Sequence, residues 1–306
     1  MEPIVYFDRK TGKQEIEKVY GQRALNLIYG TGLISHLVGT PLMYLLSALP
    51  FCSAFYGFLQ KLPSSRNKIQ PFIKNFGVDP SEFLEDPAQF SSFNDFFIRR
   101  LKPDARLMAE SPAVIPADGR YRFFSPLHTS EGFVVKGQKF DLTSLLQDAA
   151  LAAEYEEGTM VMARLCPSDY HRFHFPCDCI PGESRLINGW LYSVNPIAVK
   201  KNIDIFTQNK RTLCTLQTEA FGKVLYMEIG ATNVGSIHQT YTPEQFYRKG
   251  DEKGYFSFGA SALILIFRPG TLQLDQDLLA HPGQEIKCLL GQSLGFHDLC
   301  LDPRKK

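Results

Sequence analysis

The sequence has almost no net charge with which to attract a polyanion. Its 306 residues include 33 lysines and arginines against 32 aspartates and glutamates, a formal net charge of +1 at pH 7. Proteins that bind nucleic acid through the phosphate backbone need an excess of basic side chains. The charge balance therefore argues against a nucleic-acid partner, while the length allows one large or two ordinary domains.

Cysteine is scarce and unevenly spaced. The seven cysteines are an odd number and do not form the regular pattern of a secreted disulfide framework. Only Cys177 and Cys179 lie close together, and no second pair of cysteines or histidines stands at zinc-ligand spacing. We expect reduced, mostly structural thiols and no metal site.

Charged residues are missing from Ala24 to Gln60, a stretch longer than the about 20 apolar residues that a membrane-spanning helix needs. Glycines and prolines interrupt this stretch, and aromatic residues are spread along it, which favours two or three short helices lying in the bilayer interface. The basic segment 61–68 follows, where anionic headgroups would meet it. Ordinary buried helices and a true membrane span are the alternatives.

The composition and the hydrophobic pattern of the sequence change after about Pro103. Short apolar or alternating runs, rich in Val, Ile, Phe, Tyr and Thr, recur between turn signals and predict about ten strands. One short helix is expected near Leu142–Tyr155. The predicted fold class is α+β: an N-terminal helical, membrane-associating region over residues 1–102, and a mostly antiparallel β core, barrel-like or sandwich-like, over residues 103–306.

Three polar clusters interrupt these apolar strands. Asp118 lies in the sequence PADG, and His171 and His174 lie in DYHRFHFP. Residues three apart on a strand face opposite sides, so the two histidines can share a site only if a bulge or a turn intervenes. Ser261 follows small residues and opens the apolar run ALILIF. An acid, a base and a hydroxyl are the set that makes a serine nucleophilic, although each cluster alone is also common in purely structural turns and strands.

Five ordered motifs resemble one family of enzymes. FNDFFIRRLKP, PADG, DYHRFHFP, GATNVGSI and KGDEKGYFSFGAS are similar to the corresponding parts of phosphatidylserine decarboxylase proenzymes, and the resemblance runs from about residue 70 to residue 300. Members of this family are pyruvoyl enzymes, which cut their own chain immediately before a serine and convert that serine into the pyruvoyl group.

The resemblance implies that the chain is cut between Ala260 and Ser261, giving a 1–260 chain and a 261–306 chain. Ser236 also follows a glycine, as the cleaved serine of many relatives does, but the cleaved serine of the family follows the KGDE motif. Here Ala260 replaces that glycine, and Ala262 stands where threonine is common. An alanine carbonyl is still a workable electrophile.

The resemblance also assigns roles to the polar residues. Ser261 attacks the preceding carbonyl, His174 takes its proton, and Asp118 orients His174, as in a hydrolase triad. His171 is expected to act in decarboxylation, by protonating the carbanion or steadying the carboxylate. The only cofactor implied is the pyruvoyl group made from Ser261.

The implied reaction converts phosphatidylserine in a membrane into phosphatidylethanolamine. We therefore expect a peripheral or monotopic protein on the cytoplasmic side of the cytoplasmic membrane, because residues 1–18 carry charges where a secretory signal needs an apolar run. The expected partners are the lipid substrate and the chain's own cleaved fragment, and a homodimer is left open.

Two other classes of protein remain as alternatives. A membrane-bound serine hydrolase could use the same three residues, but the sequence around Ser261 lacks the G-x-S-x-G elbow. A non-catalytic, membrane-docked β module would leave the polar clusters as structural groups. A 261–306 fragment with a blocked N-terminus distinguishes a pyruvoyl enzyme from both.

Overall fold

The structure is a computed structural model of the chain, and it describes residues 3–22, 50–127, 141–199, 204–231, 237–259 and 261–297. Of the stretch Ala24 to Gln60, for which interfacial helices are predicted, residues 24–49 lie outside the described residues. Ala260, which precedes the predicted cleavage site, and Ser236, the other candidate serine, which follows a glycine, also lie outside the described residues.

Sixteen strands are found in the described part of the chain, most of them short. They are β1 Val5–Asp8, β2 Lys13–Ile16, β3 Ala113–Val114, β4 Gly119–Phe124, β5 Thr159–Leu165, β6 Arg172–His174, β7 Ile180–Pro181, β8 Arg185–Ile187, β9 Arg211–Thr218, β10 Gly222–Gly230, β11 Ile237–Gln239, β12 Glu252–Phe256, β13 Ser261–Phe267, β14 Gln273–Leu274, β15 Glu285–Cys288 and β16 Ser293–Phe296.

The largest sheet has the strand order β2-β1-β15-β4-β5-β13-β10-β9-β7, with β8 also pairing with β9. Every pair in it is antiparallel except β1 with β15. Its described strands form an open path, so a closed ring is not seen. Two smaller sheets, β11-β12-β6 and β14-β16-β3, complete the core. The predicted α+β class with mostly antiparallel sheets is confirmed.

Strand β13 lies in the middle of the large sheet because its sequence is apolar on both faces. All seven of its residues are buried between β5 and β10. Alternate residues of the strand enter different clusters: Leu263 and Leu265 pack in one, and Ile264 and Ile266 in the other. Burial on both faces explains why this run does not alternate with polar residues.

The helices of the described residues are short; three precede the β core and five lie within it. They are α1 Pro50–Lys61, α2 Ile69–Phe76, α3 Phe93–Phe97, α4 Leu142–Leu146, α5 Ala149–Tyr155, α6 Pro196–Val199, α7 Ile205–Gln208 and α8 Gln276–Leu279. The single helix predicted near Leu142–Tyr155 is two helices, because Gln147 ends α4 in a left-handed conformation and Asp148 caps α5. None of the helices in the described residues combines the length and the apolar character needed to cross a membrane.

The N-terminal residues contribute to the core sheet as well as to the helical region. Strand β1 pairs in parallel with β15, with Phe7 opposite Ile286. The arrangement brings the first described residues against the segment that follows the predicted cleavage site. Strands β1 and β2 thus lie within residues 1–102, the region predicted to be helical, and this strand pairing was not predicted.

Candidate active site

Ser261 opens strand β13 and is completely buried. It lies opposite Leu165 of β5 on one side and Gly230 of β10 on the other. Gly259, two residues earlier, has a φ of +146°, a conformation that favours glycine. The chain therefore enters β13 through a bend that a residue with a side chain would resist, and the hydroxyl is fixed inside the core.

His171 is the imidazole that meets this hydroxyl. Its Nδ1 lies 3.4 Å from Oγ of Ser261, and its Nε2 lies 2.9 Å from the carbonyl oxygen of Cys166. A carbonyl can only accept, so Nε2 carries the proton and donates to it. Nδ1 is then the unprotonated nitrogen, able to accept the proton of the Ser261 hydroxyl.

The surroundings of His171 keep it neutral. The residue is completely buried, and its ring stacks on Phe97 of α3 with centroids 3.9 Å apart. Burial lowers the pKa of His171 to about 3, although the carboxylate of Asp169 opposes the shift. A neutral imidazole at physiological pH is the form that can take a proton from serine.

His174 lies three residues further on, in strand β6, with a different set of neighbours. Its ring is stacked with Tyr170 at 5.8 Å, and its backbone N–H donates to the carbonyl of Pro116 in the PADG motif. Burial lowers the pKa of His174 to about 4. Nδ1 of His174 is buried without a hydrogen-bond partner among the described residues, which leaves one nitrogen of this ring uncommitted.

Asp118 is buried and engaged by a cation. Nε and Nη2 of Arg106 donate to its carboxylate at 2.6 to 3.2 Å, and the backbone N–H of Leu290 donates at 2.9 Å. Arg106 also pairs with Glu82. The carboxylate is therefore satisfied by these donors, and no hydrogen bond joins it to His174.

The structure thus brings together two of the four predicted site residues. Ser261 and His171 are in contact. The backbone N–H of His174 donates to the carbonyl of Pro116, two residues before Asp118, and no side-chain hydrogen bond joins His174 to Asp118 or to Ser261. His171 precedes β6 and lies outside the strand, and this break in the strand lets its ring reach Ser261. In the described arrangement the hydroxyl is held by His171, and a step that uses His174 requires Oγ to leave His171 first.

Helix α3 supplies two residues that sequence reasoning did not single out. Oδ1 of Asn94 accepts a hydrogen bond from the backbone N–H of Phe258 at 3.0 Å. Phe97, besides stacking on His171, packs edge-on against the ring of Phe258 at 4.9 Å. The signal was present in FNDFFIRRLKP, a polar residue among aromatics, but nothing in the spacing connected it to Ser261.

The aromatic cluster around α3 fixes the segment before Ser261. Phe258 packs with buried apolar residues from α2, α3 and the loop between them: Ile69, Phe72, Phe83, Phe90, Phe93, Phe96 and Phe97. Large aromatic side chains contribute most of the buried apolar area of such a cluster. The part of the chain that precedes the β core therefore holds the loop at the predicted cleavage site.

Together these features suit chemistry on the chain itself. A completely buried hydroxyl beside a proton acceptor, two residues after a glycine bend, is a nucleophile that an external substrate cannot reach in this form. A serine hydrolase instead presents its serine on an exposed elbow. The residues present also fit a pyruvoyl group at position 261, because the conversion needs only the serine, a proton acceptor and water. The fold and site define a self-processing enzyme.

Comparison with known proteins gives the family. The family model for phosphatidylserine decarboxylase matches residues 93–296. The chain is 46% identical over 299 residues to a phosphatidylserine decarboxylase proenzyme from Chlamydia pneumoniae, covering 96% of this chain and 98% of that protein. It is 47% identical, with the same coverage, to the proenzyme from Chlamydia felis, and 40% identical to that from Chlamydia trachomatis serovar L2b, covering 96% and 97%. The chain belongs to the phosphatidylserine decarboxylase family.

Proposed function

We propose that this chain is a proenzyme that cuts itself before Ser261, and that the processed enzyme decarboxylates phosphatidylserine to phosphatidylethanolamine. The observation that carries the proposal is that the Ser261 hydroxyl is completely buried in the core, where it meets an imidazole nitrogen instead of solvent. It lies where the resemblance to the family predicts the cut. The full-length match to relatives named as proenzymes supports the same conclusion.

The cleavage step begins with transfer of the Ser261 proton to an imidazole. Oγ then attacks the carbonyl carbon of Ala260, the bond from that carbon to the nitrogen of residue 261 breaks, and the nitrogen takes up the proton. The result is an ester between Ala260 and Ser261. Loss of the Cα proton and of the ester oxygen from Cβ releases Ala260 as a carboxylate, and water then replaces the nitrogen of residue 261 with oxygen and releases ammonia.

The two histidines have separate roles in this proposal. His174, helped by Asp118, takes the proton during cleavage, as the motif resemblance implies, and its uncommitted Nδ1 is compatible with that role. His171 serves the processed enzyme, and its contact with residue 261 supports this assignment. The same contact makes His171 the rival candidate for the cleavage base.

In the processed enzyme, the pyruvoyl group at residue 261 supplies a carbonyl that takes up the substrate amine and draws off the electrons released with CO2. The chain's own residues orient the substrate and transfer its protons. His171 is held against residue 261 by the carbonyl of Cys166 and the ring of Phe97, so its unprotonated Nδ1 can take the proton that the substrate ammonium gives up and return it to the carbon that loses CO2.

The membrane location belongs to the same proposal. A diacyl substrate stays in the bilayer, so the enzyme has to reach the interface, and we assign this to the region before the β core. Helix α1 supports the assignment, because it carries exposed Phe55 and Phe58, 52% and 56% accessible, and ends at Lys61, with Arg66 and Lys68 shortly after it. Exposed aromatics beside basic residues suit the cytoplasmic face of a bilayer.

A denaturing gel with mass spectrometry tests self-cleavage. The purified wild-type protein should give the 1–260 and 261–306 chains, the smaller one beginning with a pyruvoyl group, and it should release CO2 from phosphatidylserine vesicles. Ser261→Ala should remain one chain. An intact, unmodified Ser261 in active protein would reject the proposal in favour of a hydrolase, and an intact, inactive protein would favour a binding module.

Vesicle flotation tests the membrane assignment. Wild-type protein should float with vesicles of phosphatidylcholine and phosphatidylserine, whereas Phe55→Ser/Phe58→Ser should bind less. Leu107→Ser is the matched control, since Leu107 is 81% accessible but lies outside α1. Equal loss in the control, or none in the α1 variant, would contradict the assignment. Size-exclusion chromatography of the same samples shows whether the processed enzyme forms the homodimer that the sequence leaves open.

A further inference from the structure

The turn that supports His171 is closed by a buried ion pair. Cys166, Pro167, Ser168 and Asp169 form the turn, and the backbone N–H of Asp169 donates to the carbonyl of Cys166 at 2.8 Å. The carboxylate of Asp169 reaches back to the backbone N–H of Cys166 at 2.7 Å. The backbone N–H and the C=O of Cys166 are therefore both bound to the same residue.

Arg120 and Arg99 hold this turn from outside. Nη1 of Arg120 in strand β4 donates to both carboxylate oxygens of Asp169, at 2.6 and 2.5 Å, and both side chains are buried. Nη2 of Arg99 donates to the carbonyls of Ser168 and Asp169 at 3.1 Å each. A buried carboxylate is costly unless a cation and hydrogen bonds offset its desolvation, and here both are present.

The carbonyl fixed by this turn is the one that binds His171. The oxygen of Cys166 accepts from the backbone N–H of Asp169 at 2.8 Å and from Nε2 of His171 at 2.9 Å. Because this oxygen cannot donate, it selects the tautomer of His171 and leaves Nδ1 free to accept from Ser261. In a hydrolase triad a carboxylate does this directly. Here a carboxylate acts through one backbone carbonyl.

We propose that Asp169 is a positioning residue, which fixes the tautomer and the orientation of His171 through the backbone of Cys166. Asp169 does not contact Ser261 and carries no proton in the reaction. Its effect is to hold the acceptor for Nε2 in place, so that Nδ1 always faces residue 261. The consequence for catalysis rests on the proposed function, but the effect on the tautomer does not.

Nitrogen-15 NMR of histidine-labelled protein tests the effect on the imidazole. The uncut Ser261→Ala chain is the parent, and a His171→Gln version assigns the His171 signals. The parent should show His171 protonated at Nε2, and adding Asp169→Ala should give a mixture of both tautomers. Asp8→Ala is the matched control, because Asp8 is also buried, also binds two backbone N–H groups and pairs with Lys287. The control should leave the His171 signals unchanged.

Decarboxylation by the processed enzyme provides the second readout. Asp169→Ala should lower kcat by on the order of tenfold or more, with a smaller change in KM, because an imidazole in the wrong tautomer cannot take up and return the proton at residue 261, which weakens the chemical step rather than binding. Asp8→Ala should keep kcat close to that of the wild type. If Asp169→Ala does not fold, Asp169→Asn keeps the shape and should show the same effects in weaker form.

A folded Asp169 variant whose His171 signals match those of the parent would overturn the proposal. The NMR measurement uses a chain that neither cuts itself nor meets lipid. Failure of the proposed function would instead appear as a wild-type protein that is not cut or releases no CO2, with the effect on the tautomer intact.

Discussion

Asn94 binds the backbone of Phe258, three residues before the predicted nucleophile, from a helix far away in the sequence. The hydrogen bond from the Phe258 N–H to Oδ1 of Asn94 measures 3.0 Å and is buried. Helix α3 begins at the neighbouring Phe93, where the side chain of Ser92 caps it. The helical part of the chain is therefore attached to the segment that leads into Ser261.

Asn94→Ala should slow self-cleavage. The substitution leaves the buried N–H of Phe258 without a partner, which costs about 1–3 kcal/mol and loosens the segment that leads into Ser261. The measurement is the fraction of chain cut against time on a denaturing gel. Asn75→Ala is the control, because Asn75 is exposed on α2. Cleavage at the wild-type rate in Asn94→Ala would mean that the loop is held adequately by its aromatic contacts.

Replacing each histidine by alanine should separate the two steps in which they act, self-cleavage and decarboxylation. His174→Ala should leave the chain uncut, because cleavage loses its base, while His171→Ala should be cut but release no CO2 from phosphatidylserine. Gel analysis and a CO2 assay on the same preparations distinguish the two steps. The reverse pattern, an uncut His171→Ala and a normally cut His174→Ala, would assign the base to the imidazole that contacts Ser261 in this structure.

The free energy of unfolding should decrease as the pH falls below about 6.5, the usual pKa of histidine. Burial lowers the pKa of His171 to about 3 and that of His174 to about 4. Between these values and 6.5 the unfolded chain binds protons that the folded chain does not, so stability is present above pH 6.5 and is lost on acidification.

Urea denaturation of the uncut Ser261→Ala chain measures this dependence. Adding His171→Gln should reduce the slope of unfolding free energy against pH, between pH 6 and 5, by up to about 1.4 kcal/mol per pH unit. Above pH 7.5 the two chains should have equal slopes. Equal slopes at pH 5 to 6 as well would show that His171 is protonated in the folded protein.

The ion pairs that hold the segment after the cleavage site should differ in strength. Arg164 donates to both carboxylate oxygens of Glu285 in a buried contact, at 3.1 and 2.6 Å. Arg9 pairs with Asp277, whose side chain is 54% accessible. In the uncut chain Glu285→Ala should lower the free energy of unfolding by about 3 kcal/mol, since it leaves a buried cation short of a partner. Asp277→Ala should lower it by less than about 1 kcal/mol. Similar losses measured by urea denaturation would contradict the ranking.

Much of the fold could be predicted because burial leaves a pattern along the sequence. The run ALILIF indicated a strand covered on both faces, and β13 is that strand. The parallel pairing of β1 with β15 could not be predicted, since four polar and apolar residues near the N-terminus carry no information on a partner almost a chain length away. Strand pairing between distant segments depends on how the whole core closes.

The sequence by itself determined which chemical groups the protein has and which family it belongs to: a serine after a charged turn, two histidines, an aspartate, and motifs in a fixed order. Only the tertiary structure decided which of these groups meet. The alternation of side chains along a strand allowed either histidine to face Ser261. In the folded protein His171 faces it, because this residue lies just before β6 and the carbonyl of Cys166 holds its ring. A hydrogen bond depends on a few tenths of an ångström, and that distance is set by packing rather than by order along the chain.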